Sequence, residues 1–231
     1  MRSIAGRRVL LTGGLAGLAG GLAMPDAAFA RETVKTGAET FVSPPERLMR
    51  GHAILARVLL IYEATLRRLG QGEDIDPAVL SRAAEICRDF VHRYLEKMEE
   101  DLVFVRFREG GRMVELVGTL SEQHAAGARL TDDILAKAAQ ARSRDARQAL
   151  ERNVQALSTM YRPHMAREAT DVFPTLRHLV TAEQYAEIAD RMALWERQVI
   201  GPHGLEMAGK NVAEVEAVIG IQDLGVFTPK G

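Results

Sequence analysis

The stretch Met160-Tyr161-Arg162-Pro163-His164-Met165-Ala166-Arg167-Glu168 decides how this chain reads. His164 and Glu168 are four residues apart, so on a helix both side chains lie on one face, one turn from each other. Leu150, Val154, Leu157 and Tyr161 fall on the same face at three- and four-residue spacing, the period of a helix with one apolar stripe. Burying an unpartnered imidazole or carboxylate is costly, so a His and a Glu on that stripe predict an answering group in the core. The helix is expected from about Ala146 to Val180. Pro163 should bend it and Pro174 should end or kink it, because proline lacks an N–H and crowds the preceding turn.

Three similar stretches precede it. Ser43-Pro44-Pro45-Glu46 has the form of a helix start, and Leu48, His52, Leu55, Leu59 and Tyr62 follow at helical spacing until Gly70 and Gly72. Asp76-Pro77 opens a second helix, carried by Ala84, Cys87, Val91, Leu95, Met98 and Leu102 toward Gly110-Gly111. A third runs from about Met113 to Ala141 through Leu116, Leu120, His124, Leu130 and Ile134. Four long amphipathic helices with short polar links predict an all-α, up-down-up-down four-helix bundle over residues 43–180. Beyond it, Thr181 and Gln184 form a capping box for a fifth helix ending near Gly201. A sixth runs from about Gly204 through Val212, Val215 and Val218 to Gly220. Residues 181–231 are thus read as a C-terminal helical extension whose apolar residues pack on the bundle's outer surface.

Composition agrees with this. Aromatics make up only 5% of the 231 residues, which favours helix over strand. The formal net charge is -1 with both signs interleaved, and no basic stripe invites nucleic acid. Cys87 is the only cysteine, so no internal disulfide can form, and its neighbours Ile86 and Phe90 predict a buried thiol. The first thirty residues read as a cleaved signal peptide. Arg2, Arg7 and Arg8 precede an uncharged run from Val9 to Met24, and Ala28-Phe29-Ala30 supplies a small-x-small cleavage signal. The run has sixteen residues, five of them Gly, and would span a bilayer poorly. Arg7-Arg8 resembles the pair of a twin-arginine signal, a route for folded proteins. Residues 31–42 then form a flexible leader, and the mature protein is expected to be periplasmic or otherwise exported, with no membrane contact.

The chemistry lies in the bundle. His52, His124 and His164 fall on the inward stripes of three different helices. Helix four adds Glu168 and helix two adds Glu96, Glu99, Glu100 and Asp101. Imidazole is the commonest nitrogen ligand of transition metals, and acids and histidines converging in a bundle core are what a carboxylate-bridged dinuclear site requires.

With these residues in view the chain resembles the hemerythrin-like, or HHE cation-binding, family. The resemblance covers Ser43 to Val180. It is carried by Leu48-Met49-Arg50-Gly51-His52 continuing to Leu60-Ile61-Tyr62-Glu63, and by Tyr94-Leu95-Glu96-Lys97-Met98-Glu99-Glu100-Asp101. Gln123-His124-Ala125-Ala126-Gly127 and Met160-Tyr161-Arg162-Pro163-His164 with Arg167-Glu168 and Phe173-Pro174 complete it. Ile221-Gln222-Asp223-Leu224 and Phe227-Thr228-Pro229 look like the tail of longer members. The family pattern is a His on helices one and three and His-x-x-x-Glu on helices two and four. It implies His52, Glu99, His124, His164 and Glu168 as metal ligands, the two glutamates as bridges, and two non-haem iron ions.

Helix two departs from the pattern: Leu95 stands where a His is expected, four residues before Glu99. Gly51 also replaces the acid usually found before the helix-one His. One ion is therefore expected to be under-coordinated, labile or open to solvent, and a single ion is the alternative. His92-Glu96 repeats His-x-x-x-Glu one turn earlier, but its ring starts about 4.5 Å further along the axis. Glu99 with Glu100, Asp101 and Phe104 fits the family register better. His92 is then expected to be a partly exposed helix residue. His178 and His203 are read as surface residues, Tyr62 and Tyr161 as core tyrosines with satisfied hydroxyls, and Met49, Met98, Met160 and Met165 as lining. Four functions fit: binding or sensing a diatomic such as oxygen or nitric oxide, handling iron, redox turnover of peroxide or nitric oxide, and a metal-free interaction module. Of these, non-catalytic metal and diatomic binding is expected over an enzyme.

Overall fold

The computed structural model describes residues 41–73, 75–138 and 144–229. The expected signal segment, and the leader up to residue 40, lie outside these.

Six helices follow one another: α1 (Pro44–Gly70), α2 (residues 77–109), α3 (Val114–Ala138), α4 (residues 144–179), α5 (Ala182–Val199) and α6 (Gly204–Val218). Their starts follow the side-chain chemistry of the sequence. The Ser43 hydroxyl accepts from the Glu46 N–H and Asp76 accepts from the Ala78 N–H at 2.9 Å, each meeting a donor that a helix N-terminus leaves unpaired. Thr181 and Gln184 make both bonds of the capping box, at 3.2 and 2.9 Å. Gly72, with φ +79, turns the chain out of α1 in a conformation open to glycine.

α1 packs on α2 and α4, and α3 packs on the same two helices, closing a four-helix bundle. Its core is aliphatic, with Leu48, Leu55, Val58, Leu59 and Ile61 from α1 meeting Val91, Leu95, Met98 and Val103 from α2. Phe104, Phe107 and Phe173 fill the end beyond the histidines.

Two helices depart from the regular α-period. α2 carries π-helical turns at Cys87–Leu95 and Glu99–Phe104, and α4 carries one at Glu168–Val172. An i→i+5 turn takes in one extra residue and rotates everything after it around the axis. α4 continues through both prolines and does not end at Pro174. The helix runs through Pro163, and Pro174 follows the π-turn, where i→i+4 bonding is already interrupted. The helix ends at Leu179, where Val180 turns extended.

α5 and α6 cover α1 and α2, burying Ile188, Met192, Val212 and Val215. Arg57 holds Glu216 through two bonds of 2.9 and 2.6 Å. Arg47 pairs with Glu196, and the Trp195 indole N–H donates to the Tyr94 carbonyl at 3.2 Å. The covered seam ends at Ile221. Beyond it Leu224, Val226 and Phe227 are exposed on a single 3-10 turn, so the tail's apolar residues do not pack as expected. Val218 is likewise exposed. Among the described residues no helix is long and apolar enough to cross a membrane.

Candidate metal centre

The structure brings His52, Glu99, His124, His164 and Glu168 together in the bundle core, all buried. Their donor atoms form two triplets, one of His52, Glu99 and Glu168 and one of His124, His164 and Glu168. Glu168 Oε2 lies 3.2 Å from His52 Nε2 and 3.1 Å from His164 Nε2, joining the two. Glu99 spans the same gap with both oxygens: Oε1 is 3.2 Å from His52 Nε2 and Oε2 is 3.5 Å from His124 Nε2. His124 Nε2 and His164 Nε2 face each other at 3.2 Å.

These separations suit a cation. Ligands at about 2.0–2.2 Å from a four- or six-coordinate ion stand roughly 3 Å from one another. A network built for hydrogen bonding alone would satisfy its acceptors, yet neither buried oxygen of Glu168 has a hydrogen-bond partner, although imidazole nitrogens stand beside one of them. A buried carboxylate with neither oxygen hydrogen-bonded needs positive charge beside it, from a cation or from protons on the neighbouring imidazoles. A cation accounts for it, and neutral imidazoles with carboxylates are a donor set iron accepts.

The outer atoms of two imidazoles are fixed as metal-ligand histidines usually are. His124 Nδ1 meets Glu100 Oε1 at 3.0 Å, with Lys97 on the other Glu100 oxygen at 2.7 Å. His164 Nδ1 donates to Gln123 Oε1 at 2.8 Å. Each ring also leans on one aromatic neighbour: His52 on Phe173, His124 on Phe104 and His164 on Tyr161. The orienting roles of Glu100 and Gln123 escape a sequence reading, though both adjoin a proposed ligand in the chain.

The two departures from the family pattern prove to be one contact. Leu95 is buried against α1 at Gly51, where a Cβ would come within 2.5 Å of Leu95 Cδ1. The leucine that replaces the expected histidine occupies the room left by the missing acid. The His52 triplet has one imidazole, whereas the other triplet has two.

His92 corrects an expectation. It is buried, not partly exposed, and it stands apart from both triplets. Its Nδ1 meets Glu96 Oε2 at 2.8 Å and its Nε2 meets Thr131 Oγ1 at 2.8 Å. The π-turn at Cys87–Leu95 contains His92, so α-periodicity misplaces it. Tyr161 donates to the other oxygen of Glu96 at 2.5 Å. Tyr62, expected to be satisfied, has only the Cys87 thiol beside its hydroxyl. That thiol is buried as expected, and burial pushes it up to about 12. Met98 lines the core and Met49 is exposed, while His178 and His203 are surface residues.

In the metal-free protein, protons neutralise these carboxylates. Burial opposes charge on His52, but Glu168 and Glu99 outweigh it and raise its pKa from 6.5 to about 10. Burial likewise opposes His124, and Glu100, aided by the nearby carboxylates, lifts it to about 9. Burial pushes Glu168 up, yet His164 and His52 bring it down to about 2. His124 and Lys97 hold Glu100 at about 2 against its burial. Glu99 is raised, by burial first and then by Glu168.

The signs give a stability window. The raised histidines stabilise the fold fully below their ordinary 6.5, and this is lost as pH climbs through about 9 and 10. The depressed carboxylates contribute above their ordinary 4.5, and this is lost as pH falls toward 2. Glu99 acts in the opposite sense and subtracts stability above 4.5. Urea midpoints of the metal-free protein should therefore peak between about pH 4.5 and 6.5 and fall by pH 10. A midpoint that rises from pH 6.5 to pH 10 would contradict this charge arrangement.

Comparison with known proteins gives the family. Uncharacterized proteins of Mycobacterium bovis and of two strains of Mycobacterium tuberculosis are 39% identical to this chain over 194 residues, covering 83% of it and 76% of each of them. No solved structure matches. The family description "hemerythrin HHE cation binding domain" matches residues 43–176, a span that takes in the whole donor set. The chain belongs to the hemerythrin HHE cation-binding family.

Proposed function

We propose that this is an exported non-haem iron protein that holds two iron ions and binds or senses a small diatomic, oxygen or nitric oxide, on the His52 side. The observation that carries the reading is the asymmetry of the donor set. His124, His164, Glu168 and the second oxygen of Glu99 surround one position; His52, Glu99 and Glu168 surround the other, with Leu95 standing in the sequence where the family pattern has a second imidazole. Iron held there would supply a metal with coordination positions free for an outside ligand. The protein's part is to fix the three donors and to cover the His52 ring with Phe173.

Optical spectra of anaerobically loaded protein test this. Admitting oxygen or nitric oxide should change the iron absorption, and removing the gas should reverse the change. No spectral response, with iron that a mild chelator removes, would contradict diatomic binding and favour iron handling; repeated turnover of peroxide would favour a redox enzyme. Export rests on Arg7-Arg8, the run Val9–Met24 and Ala28-Phe29-Ala30. Protein recovered from the periplasm should begin at Arg31. Full-length chain confined to the cytoplasm would contradict export.

A further inference from the structure

Glu96, His92 and Tyr161 form a second polar cluster that belongs to neither donor triplet. Tyr161 is fully buried, and its ring meets His164 edge-on with centroids 5.4 Å apart. Its hydroxyl donates to Glu96 Oε1 at 2.5 Å, the short end of the range for a phenol on a carboxylate. His92 and Thr131 extend the chain, so it crosses from α4 through α2 to α3. α3 presents Gly127 where the hydroxyl passes, and any Cβ there would fall on the phenol. A space kept clear on one helix, a base on a second and a supporting imidazole beside that base are more than a core tyrosine needs.

We propose that Tyr161 is a redox-active residue that gives one electron to the metal centre while its phenolic proton passes to Glu96. This rests on the iron reading above. A phenol that loses an electron becomes a strong acid, so a buried one is oxidised readily only if a base takes the proton in the same step. Glu96 already accepts a short hydrogen bond from that proton, and His92 stands on its other oxygen to disperse the change in charge. Tyr62 is the internal contrast: equally buried, its hydroxyl has a protonated thiol beside it and no carboxylate. The oxidant is hydrogen peroxide. Its reduction to two waters takes two electrons and two protons. In a centre with one ferrous and one ferric ion, the ferrous ion gives one electron and becomes ferric, and Tyr161 gives the other. The phenolic O–H bond breaks, an O–H bond forms on Glu96, and solvent supplies the two protons that enter the waters.

Electron paramagnetic resonance of the full iron-loaded protein tests this. The protein is brought to the mixed ferrous–ferric state, given one equivalent of peroxide and frozen within milliseconds. An organic radical signal is expected, narrowed when the protein is made with ring-deuterated tyrosine. Tyr161→Phe and Glu96→Gln, checked for wild-type iron content and helicity, should each lower its yield at least tenfold, and Tyr62→Phe should leave it unchanged. A signal that survives Tyr161→Phe, that deuterated tyrosine does not narrow, or that is missing although the iron has been oxidised overturns the proposal and leaves the iron reading standing. A chain that takes up no iron defeats both.

Discussion

Glu168→Gln should strip the protein of both iron ions at once. Glu168 belongs to both donor triplets, with one oxygen within 3.2 Å of an imidazole nitrogen in each. Glutamine keeps the volume but removes the charge and places an NH2 group where an acceptor is needed. His52→Ala touches one triplet only and should leave the His124–His164 position filled. Iron content after anaerobic loading and desalting separates the two variants: near none for Glu168→Gln, and near one per chain for His52→Ala. Circular dichroism of the metal-free variants guards against loss of the fold, since removing one partner of a buried charged pair costs about 3–5 kcal/mol. Equal iron content in wild type and Glu168→Gln would remove Glu168 from the centre.

The second large effect is expected at the Gly51–Leu95 contact. Leu95→His puts an imidazole on α2 one turn before Glu99, against the flat surface of Gly51. It should give the His52-side ion a fourth protein ligand and slow its loss to a chelator by at least about tenfold, the scale on which even supporting residues shift metal affinity. The same contact makes Gly51 intolerant of a side chain. With a Cβ at 2.5 Å from Leu95 Cδ1, Gly51→Ala forces Leu95 to move. Overpacking of this kind costs about 1–3 kcal/mol, read as a lower urea midpoint. Chelator loss at the wild-type rate in Leu95→His would mean that Leu95 does not stand at the ion.

The sequence showed much of this because most of the bundle keeps the α-period. His52, His124, His164 and Glu168 lie on regular apolar stripes, and the caps at Ser43, Asp76 and Thr181 are local chemistry that needs no tertiary knowledge. Glu99 came from a family register, and the structure brings it to the same cluster. What stayed hidden depends on backbone irregularity or on contacts between helices. The π-turn at Cys87–Leu95 carries His92 inward to Glu96 and Thr131, a placement no 3.6-residue pattern gives. Gly51 and Leu95 read as two separate losses because they sit on different helices, and only their packing shows that one makes room for the other. The exposure of the tail stays hidden for a related reason: nothing in Leu224–Phe227 tells that the covered seam has already ended at Ile221.

A dinuclear site of two unequal halves is tested most directly by an iron count. Metal-free protein titrated anaerobically with ferrous iron, with bound metal weighed by native mass spectrometry, should fill in two steps. The first ion should enter the His124–His164 position at low iron and the second should follow at higher iron, giving two per chain. Saturation at one ion, or uptake of none, would contradict a two-ion centre built on Glu99 and Glu168.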